Sequence, residues 1–225
     1  MHVFESKRLS EHPVLLVVLR GDLGTDYINL FASQAARDRD VVAVALLGPG
    51  YSDKQGNVSD GSKGLTTGDI YDATNTDAVA AAVLKLKEQF HARKVVLAGH
   101  SGGAAVSANI LARHPEVADA ALLVSCPCNV PLWRKHMLEK TRNAVFEGMI
   151  DTLSPIDLVA GLSDKTQVIM LVGSDDDVAP PHISESYQAV SVKLHKQVQL
   201  RLIPGAVHDM FLDPVVQTYL QPLLQ

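Results

Sequence analysis

The sequence predicts an α/β fold in which a mostly parallel β-sheet is covered by helices on both faces. One observation is that short apolar runs rich in valine, leucine and alanine recur along the chain, each long enough for a buried parallel strand. Another is that segments with helical spacing separate these runs almost throughout. Alternation of strand and helix favours parallel connections, so we expect a sheet of about six to seven strands between two layers of helices.

Six segments carry the strand pattern. Each is a short run of mainly apolar residues, and glycine, proline or charged residues flank most of them. The strands are predicted at Val14–Leu19, Val41–Leu47, Lys94–Ala98, Ala120–Ser125, Gln167–Val172 and Val198–Ile203.

Five segments carry helical spacing. In the clearest of them, Val79, Val83, Leu86 and Phe90 share one face while lysine and glutamate occupy the others, which is typical of an amphipathic helix. The helices are predicted at Thr25–Arg37, Asp77–Phe90, Ala104–Arg113, His182–Leu194 and Asp213–Leu220.

Segment 127–165 interrupts the alternation between two strands. It contains Trp133, clustered charges and the turn-like sequence LSPIDL. A chain of 225 residues, 47% of them hydrophobic, is long enough for one full-sized core but short for two. We therefore expect a single domain over residues 1–225, with an excursion at about residues 127–165 that lies over the strand ends as a small cap.

The charge pattern argues against nucleic acid and membranes as partners. The net charge is −5, and lysine and arginine form no run longer than two. The apolar run Val14–Leu19 is too short to cross a membrane and lacks the layout of a signal peptide around it. We therefore expect a cytoplasmic protein, and the sequence leaves its oligomeric state open.

The two cysteines, Cys126 and Cys128, stand in the sequence CPCN. Their separation is shorter than that of an ordinary stapling disulfide, and no further ligands follow at metal-binding spacing. We expect reduced, partly buried thiols and no metal site.

The sequence GHSGG at residues 99–103 is the strongest functional motif. It follows a predicted strand and opens a predicted helix, which is the context of the G-x-S-x-G nucleophile elbow. In such an elbow the serine has a strained backbone, and Gly99 and Gly103 avoid collision with the adjoining strand and helix. Ser101 is therefore the predicted nucleophile, with an ordinary glycine-rich turn as the alternative.

A serine hydroxyl needs a base to act as a nucleophile at neutral pH. His208 lies in PGAVHDMF, between the last strand and the last helix, at the carboxyl edge of the sheet where ligands of such sheets bind. His182, at the start of a helix, is the main competitor. The side chain of His100, inside the elbow, is expected to pack beside the nucleophile rather than accept its proton.

An acid that orients the base is expected at another strand end. Asp175, Asp176 and Asp177 follow the strand Gln167–Val172 directly. Adjacent carboxylates repel one another unless they are solvated or used, and capping of the following helix is the alternative role for some of them. The resulting order of serine, aspartate and histidine is that of α/β-hydrolases and differs from the orders in chymotrypsin and subtilisin.

An oxyanion hole is predicted from two backbone N–H groups. The N–H of Gly102, at the start of a helix, is directed toward developing negative charge. The second donor is expected after the strand Val14–Leu19, from Asp22 or Leu23 within the sequence RGDLG. A simple turn is the alternative for these glycines.

These motifs together resemble the α/β-hydrolase superfamily. The resemblance covers nearly all of the chain from Val14 onward and is carried by GHSGG, GSDDDVAPP and PGAVHDMF. GSDDDVAPP looks like the family's usual G-x-x-D-x-x-x-P turn, which implies that Asp176 is the acid and Asp177 the reserve. The stretch from SPIDL to DVAPP is similar to the prolyl oligopeptidase and related esterase group.

The resulting hypothesis is a cofactor-independent serine hydrolase of the carboxylesterase type. Its expected substrate is a small ester, thioester or amide, cleaved through an acyl-enzyme intermediate by Ser101, His208 and Asp176. Trp133, Met137 and Phe146 are expected to form the wall of the acyl pocket, although their spacing also fits ordinary core. The alternatives are a peptidase or thioesterase of the same fold, and a non-catalytic ligand-binding protein.

Overall fold

The computed structural model of the chain describes residues 1–21, 26–53, 56–62, 71–148 and 150–225. Within these ranges one seven-stranded sheet has the order β1-β3-β2-β4-β5-β6-β7. Its strands are β1 (His2–Glu5), β2 (Val14–Leu19), β3 (Val41–Leu46), β4 (Lys94–His100), β5 (Ala120–Val124), β6 (Gln167–Gly173) and β7 (Val198–Ile203). β1 pairs antiparallel with β3 and all other pairs are parallel, so the predicted mostly parallel sheet is confirmed.

All six predicted strands are present and begin at the predicted residues. β1 was missed because its four residues, HVFE, alternate between partly buried and exposed positions and contain only two apolar residues. β1 is an edge strand, held in register by pairs such as Val3 opposite Val44. Pairing with an existing strand, rather than its own composition, makes this segment a strand.

The helices are α1 (Asp26–Ala36), α2 (Ala73–Gln89), α3 (Gly102–Arg113), α4 (Val130–Thr141), α5 (Pro155–Leu158), α6 (Pro181–Lys193) and α7 (Pro214–Leu220). The five predicted helices are all present, although Thr25, the predicted start of α1, lies outside the described residues. α2 begins four residues before its predicted start at Asp77. The reason is a helix cap: the Asp72 carboxylate accepts a hydrogen bond of 2.7 Å from the Asn75 N–H.

The core lies in two layers, one on each face of the sheet. β2 is buried along its whole length, and its residues alternate between the two layers. Residues of α2, α3 and α6 pack on one face, whereas residues of α1 and α7 pack on the other. The predicted covering of both faces is confirmed, and this double burial explains why inner strands such as β2, β3 and β5 are continuous apolar runs.

The predicted excursion at about residues 127–165 contains α4, α5 and two turns of 3-10 helix, Ala144–Phe146 and Val159–Gly161. α4 contacts the loop after β6, because the Trp133 indole N–H donates a hydrogen bond of 2.9 Å to the Val178 carbonyl. Lys140 on the same helix forms an ion pair of 2.7 Å with the Asp177 carboxylate. The excursion is thus attached to the carboxyl edge of the sheet. The assignment of residues 1–225 to one domain stays a prediction.

Cys126 and Cys128 form a disulfide, so the expectation of reduced thiols is wrong. Both side chains are buried in the layer of core that contains α3. After β5 the chain has no regular structure, and it brings the two Cα atoms to 5.1 Å, within the usual range for bridged cysteines. The short sequence separation therefore does not prevent a bond.

Candidate active site

The predicted nucleophile elbow has the expected backbone geometry. β4 ends at His100, α3 begins at Gly102, and Ser101 stands between them with φ 52° and ψ −120°. A positive φ is uncommon for a residue with a side chain and costs free energy, so it must be held by its surroundings. The Ser101 N–H donates a hydrogen bond of 2.9 Å to the Val124 carbonyl at the end of β5. The strain predicted for Ser101 is therefore confirmed.

The glycines that flank Ser101 allow the strand and helix to meet closely. A Cβ atom at Gly99 would collide with the carbonyl of Gly103, and one at Gly103 would collide with the carbonyls of Leu19 and Arg20. These are backbone atoms, so no side-chain movement relieves the contact. The predicted steric reason for both glycines is confirmed.

The side chains of Ser101, His208 and Asp176 form one continuous line of hydrogen bonds. The Ser101 Oγ lies 3.0 Å from the His208 Nε2. The His208 Nδ1 lies 3.0 Å from each carboxylate oxygen of Asp176. A carboxylate only accepts hydrogen bonds, so the Nδ1 carries the proton and the Nε2 is left to accept one from the serine hydroxyl. The structure thus brings together the three residues that the sequence selected.

Asp176 is buried, with 2% of its surface exposed. Its Oδ1 accepts hydrogen bonds from the backbone N–H groups of Val178 and Ala179, at 3.0 and 2.8 Å. Burial by itself raises the pKa of Asp176, but the hydrogen bond and charge of His208 and the hydrogen bond from the Ala179 N–H outweigh it and hold the pKa below its usual value. Asp176 is therefore ionised at neutral pH.

The two neighbouring carboxylates have other partners. Asp175 accepts a hydrogen bond of 2.7 Å from the Ser174 hydroxyl. Asp177 pairs with Lys140, whose hydrogen bond and charge lower the pKa of Asp177. The alternative role, capping of α6, is wrong, because the N-cap residue of α6 is Pro180 and no side chain caps this helix.

The competing histidine, His182, does not contact Ser101. Its ring lies on α6, with its centroid 6.0 Å from that of the His136 ring. His136 in turn hydrogen-bonds the Asp177 carbonyl through its Nε2, at 2.9 Å. The geometry therefore favours His208 as the base.

His100 packs beside the nucleophile, as expected. It is 6% exposed, and its ring lies against Tyr27, Phe211 and His208. Its Nδ1 is 3.2 Å from the Tyr27 hydroxyl and its Nε2 is 2.9 Å from the His208 carbonyl. Burial lowers the pKa of His100 to about 4, although the hydrogen bond to the His208 carbonyl opposes this shift. The imidazole is therefore neutral at pH 7.

Two residues that the sequence did not select also contact the site. Ser125 is fully buried directly after β5 with φ 52°, and its hydroxyl donates a hydrogen bond of 3.3 Å to the His208 carbonyl. Tyr27 on α1 places its hydroxyl against His100. Polar residues directly after a strand of a parallel sheet are candidates for a site, and Ser125 is one of them. It was missed because the predicted strand, Ala120–Ser125, ended one residue too late. Tyr27 carries no local signal, because its partners are distant in sequence.

The oxyanion donors are described only in part. Gly102 is the first residue of α3, so its N–H has no acceptor four residues earlier within the helix. Asp22 and Leu23 lie outside the described residues. The Gly21 N–H donates a hydrogen bond of 2.6 Å to the Tyr27 hydroxyl and is therefore already engaged. The oxyanion hole stays a prediction.

A cleft with a volume of about 410 Å³ opens at Ser101 and His208. Trp133, Met137 and Phe146 line it together with Val178, so their predicted placement beside the site is confirmed. Trp133 and Phe146 pack edge to face, with ring centroids 5.6 Å apart, within a small core cluster. The same side chains thus serve as local core and as cleft wall.

The described residues contain neither a candidate metal site nor a candidate membrane span. No group of three or more histidine, cysteine, aspartate or glutamate residues in the described ranges is placed to hold a metal ion. No helix in this part of the chain is long and apolar enough to cross a membrane. The cellular compartment stays a prediction.

Comparison with protein families identifies the fold. Residues 15–148, more than half of the chain, match the family described as the alpha/beta hydrolase fold. The chain belongs to this family. The resemblance inferred from GHSGG, GSDDDVAPP and PGAVHDMF is therefore confirmed, and the seven-stranded sheet is that of an α/β hydrolase.

Solved structures with the same fold include esterases and a peptidase. Est1E from Butyrivibrio proteoclasticus, solved with ferulic acid bound, has a TM-score of 0.70 and 18% identity, covering 99% of this chain and 94% of that one. The Pyrococcus furiosus esterase Pf2001 has a TM-score of 0.70 and 14% identity, with coverages of 95% and 83%. An acylaminoacyl peptidase has a TM-score of 0.66 and 12% identity, and covers 98% of this chain but only 37% of the peptidase. None of the curated protein sequences matches this hydrolase significantly.

Proposed function

We propose that this α/β hydrolase is a serine hydrolase that cleaves a small carboxylic ester, thioester or amide through an acyl-enzyme intermediate. The observation that carries the proposal is the unbroken line of hydrogen bonds from Asp176 through His208 to Ser101, with the serine on a strained elbow at the mouth of a cleft. A buried, ionised acid, a base and a nucleophile in this order are the requirements of acyl transfer.

In the first half of the reaction, the Ser101 Oγ attacks the carbonyl carbon while its proton passes to the His208 Nε2. The ionised Asp176 holds the imidazole in the required tautomer and stabilises its positive charge. The tetrahedral intermediate then collapses, the bond to the leaving group breaks, and His208 returns the proton to the leaving group. In the second half, water attacks the acyl-enzyme by the same proton transfers and releases the acid and free Ser101.

The oxyanion of the tetrahedral intermediate is proposed to accept hydrogen bonds from two backbone N–H groups. Gly102 supplies one of them from the start of α3, where the helix dipole favours negative charge. Asp22 or Leu23 supplies the other, which agrees with the engagement of the Gly21 N–H by Tyr27. Such a donor typically contributes about 3 kcal/mol to the stabilisation of the transition state.

The cleft supports an ester with an apolar acyl group as the preferred substrate. Trp133, Met137, Phe146 and Val178 offer an apolar surface beside Ser101, and a cleft of about 410 Å³ suits a small molecule. Two of the similar structures are esterases, which favours the carboxylesterase type over a peptidase. The proposed mechanism requires no cofactor, and its partner is a small acyl substrate rather than nucleic acid or a membrane.

The experiment is labelling with a fluorophosphonate probe, followed by mass mapping of the modified peptide. Wild-type protein is compared with Ser101→Ala, His208→Ala and the control Ser163→Ala, which removes a serine far from the elbow in sequence. We expect modification of Ser101 in the wild type and the control, none in Ser101→Ala and little in His208→Ala. Absence of labelling in folded wild-type protein would refute the proposal and favour a ligand-binding protein.

Turnover assays then separate the hydrolase types. Matched p-nitrophenyl ester, acyl thioester and p-nitroanilide substrates with the same acyl group are compared at equal concentration. We expect the ester to be cleaved fastest, and we expect its turnover to vanish in Ser101→Ala. Faster cleavage of the thioester or anilide would instead identify a thioesterase or a peptidase of the same fold.

A further inference from the structure

His100 is a buried imidazole that the proposed proton transfers do not use. It lies one residue before the nucleophile and does not contact the Ser101 hydroxyl through either nitrogen; its nitrogens face the Tyr27 hydroxyl and the His208 carbonyl. The Tyr27 hydroxyl is also the acceptor for the Gly21 N–H, at 2.6 Å. A single chain of hydrogen bonds thus connects three segments that surround Ser101: the end of β2, the elbow and the loop that carries His208.

The direction of each hydrogen bond in this chain follows from the chemistry of the groups. The His208 carbonyl only accepts, so the His100 Nε2 carries the proton. The imidazole is neutral, so its Nδ1 is an acceptor and takes the Tyr27 O–H. The Tyr27 oxygen still has a lone pair for the Gly21 N–H. With these directions, the network requires the Nε2–H tautomer of His100.

We propose that Tyr27 and His100 are positioning residues that fix the catalytic histidine and the start of the oxyanion loop relative to Ser101. The inference rests on the proposed function. His100 holds the backbone carbonyl of His208, while Asp176 holds its ring through the Nδ1, so the catalytic residue is fixed both at its backbone and at its side chain. Tyr27 acts on Gly21, which directly precedes the predicted donors Asp22 and Leu23.

The packing around His100 supports positioning rather than simple filling of space. An apolar side chain at this position would leave the His208 carbonyl with only the longer hydrogen bond of 3.3 Å from Ser125. The ring is held between the edge of Tyr27, with centroids 5.4 Å apart, and the tilted face of Phe211, with centroids 5.2 Å apart. Its orientation is therefore fixed, and a displacement of about 1 Å at a reacting group is enough to lower a rate by about 100-fold.

The first experiment compares four variants with wild type by kcat and KM for a p-nitrophenyl ester and by the rate of Ser101 labelling. Tyr27→Phe removes only the hydroxyl, and Tyr187→Phe is the matched control, a buried tyrosine on α6. His100→Leu removes both hydrogen bonds, whereas His100→Gln keeps an amide N–H that reaches toward the His208 carbonyl. Circular dichroism confirms that each variant is folded before its rates are measured.

We expect kcat to fall about 10-fold in Tyr27→Phe and about 100-fold in His100→Leu, with KM changed less than 3-fold. Each variant loses two hydrogen bonds, but only His100→Leu loses the bond to the carbonyl of the catalytic His208, so its loss of kcat is larger. We expect the kcat of His100→Gln to lie no more than about 10-fold below that of wild type, because it keeps a donor for the His208 carbonyl. The kcat of Tyr187→Phe is expected to equal that of wild type. Equal losses in His100→Leu and His100→Gln, or a loss confined to KM, would overturn the proposal.

The second experiment observes the network directly, without turnover. Long-range ¹H–¹⁵N correlation spectra of histidine-labelled protein at pH 7 distinguish the two neutral tautomers, with His100→Gln used to assign the signals. We expect the Nε2–H tautomer for His100, and a change in its Nδ1 shift in Tyr27→Phe. An Nδ1–H tautomer or an imidazolium at His100 would overturn the proposal.

The turnover of Ser101→Ala, measured beside these variants, separates this inference from the proposed function. If Ser101→Ala retains the turnover of wild type, the proposed hydrolase activity of Ser101 fails, whatever the state of His100. If Ser101 is required but the variants at Tyr27 and His100 keep full kcat, the hydrolase stands and the positioning role fails.

Discussion

The stability of this hydrolase is predicted to depend on pH through His100. The imidazole is 6% exposed, and burial lowers its pKa from 6.5 to about 4. Between these two pH values the unfolded chain binds a proton that the folded protein does not, so the free energy of unfolding rises with pH. The stabilisation is therefore complete above pH 6.5 and is lost as the pH falls toward 4.

The size of the effect follows from the pKa difference. Each unit of pKa difference between folded and unfolded protein amounts to about 1.4 kcal/mol. A pKa of about 4 in place of 6.5 therefore corresponds to about 3 kcal/mol of unfolding free energy. The nearby charges of His208, Asp209 and Asp176 contribute to the same pKa, and burial is the largest cause.

The assay is urea unfolding followed by circular dichroism at pH 7, 6, 5 and 4. Glutamine does not titrate, so the difference in unfolding free energy between wild type and His100→Gln removes the contribution of groups that do not interact with His100. We expect wild type to lose about 3 kcal/mol more than His100→Gln between pH 7 and 4. The control His182→Gln changes an exposed histidine and is expected to follow wild type. If the difference in unfolding free energy between wild type and His100→Gln stays constant from pH 7 to 4, His100 is not the source of the pH dependence.

Three further variants test the site. Asp176→Asn is expected to lower kcat by about 10⁴-fold, because the His208 imidazole loses the acceptor that fixes its tautomer. A loss of less than about 10-fold in steady-state ester hydrolysis would contradict this role. Gly103→Ala is expected to lower the free energy of unfolding in urea by about 3 kcal/mol, because the added Cβ collides with the backbone of Leu19 and Arg20. An unfolding free energy equal to that of wild type would show that the backbone relaxes without cost. Trp133→Phe is expected to raise KM more for long than for short acyl chains, because it reshapes the cleft wall, and uniform KM values would place the acyl group elsewhere.

Local sequence patterns determined the sheet, most of the helices and the elbow. β2 has the predicted bounds, because a run buried on both faces is apolar at every position. The elbow is encoded by glycines at fixed positions around Ser101, since only a residue without a side chain fits against the crossing backbone. The close contact between Gly99 and Gly103 lies within the elbow, so one stretch of sequence is enough to recognise it, whereas the backbone that crosses Gly103 belongs to the distant residues Leu19 and Arg20.

Tertiary structure alone decided which distant side chains meet. The resemblance of GSDDDVAPP to the family's turn implied Asp176, but its hydrogen bond joins it to a residue 32 positions away, and the role of His100 depends on partners 73 and 108 positions away. The short edge strand β1 exists because β3 offers it a partner. Such contacts form where the ends of several strands converge at one edge of the sheet. A local sequence pattern does not determine which side chains come within hydrogen-bond distance there, because the partners belong to different strands and loops.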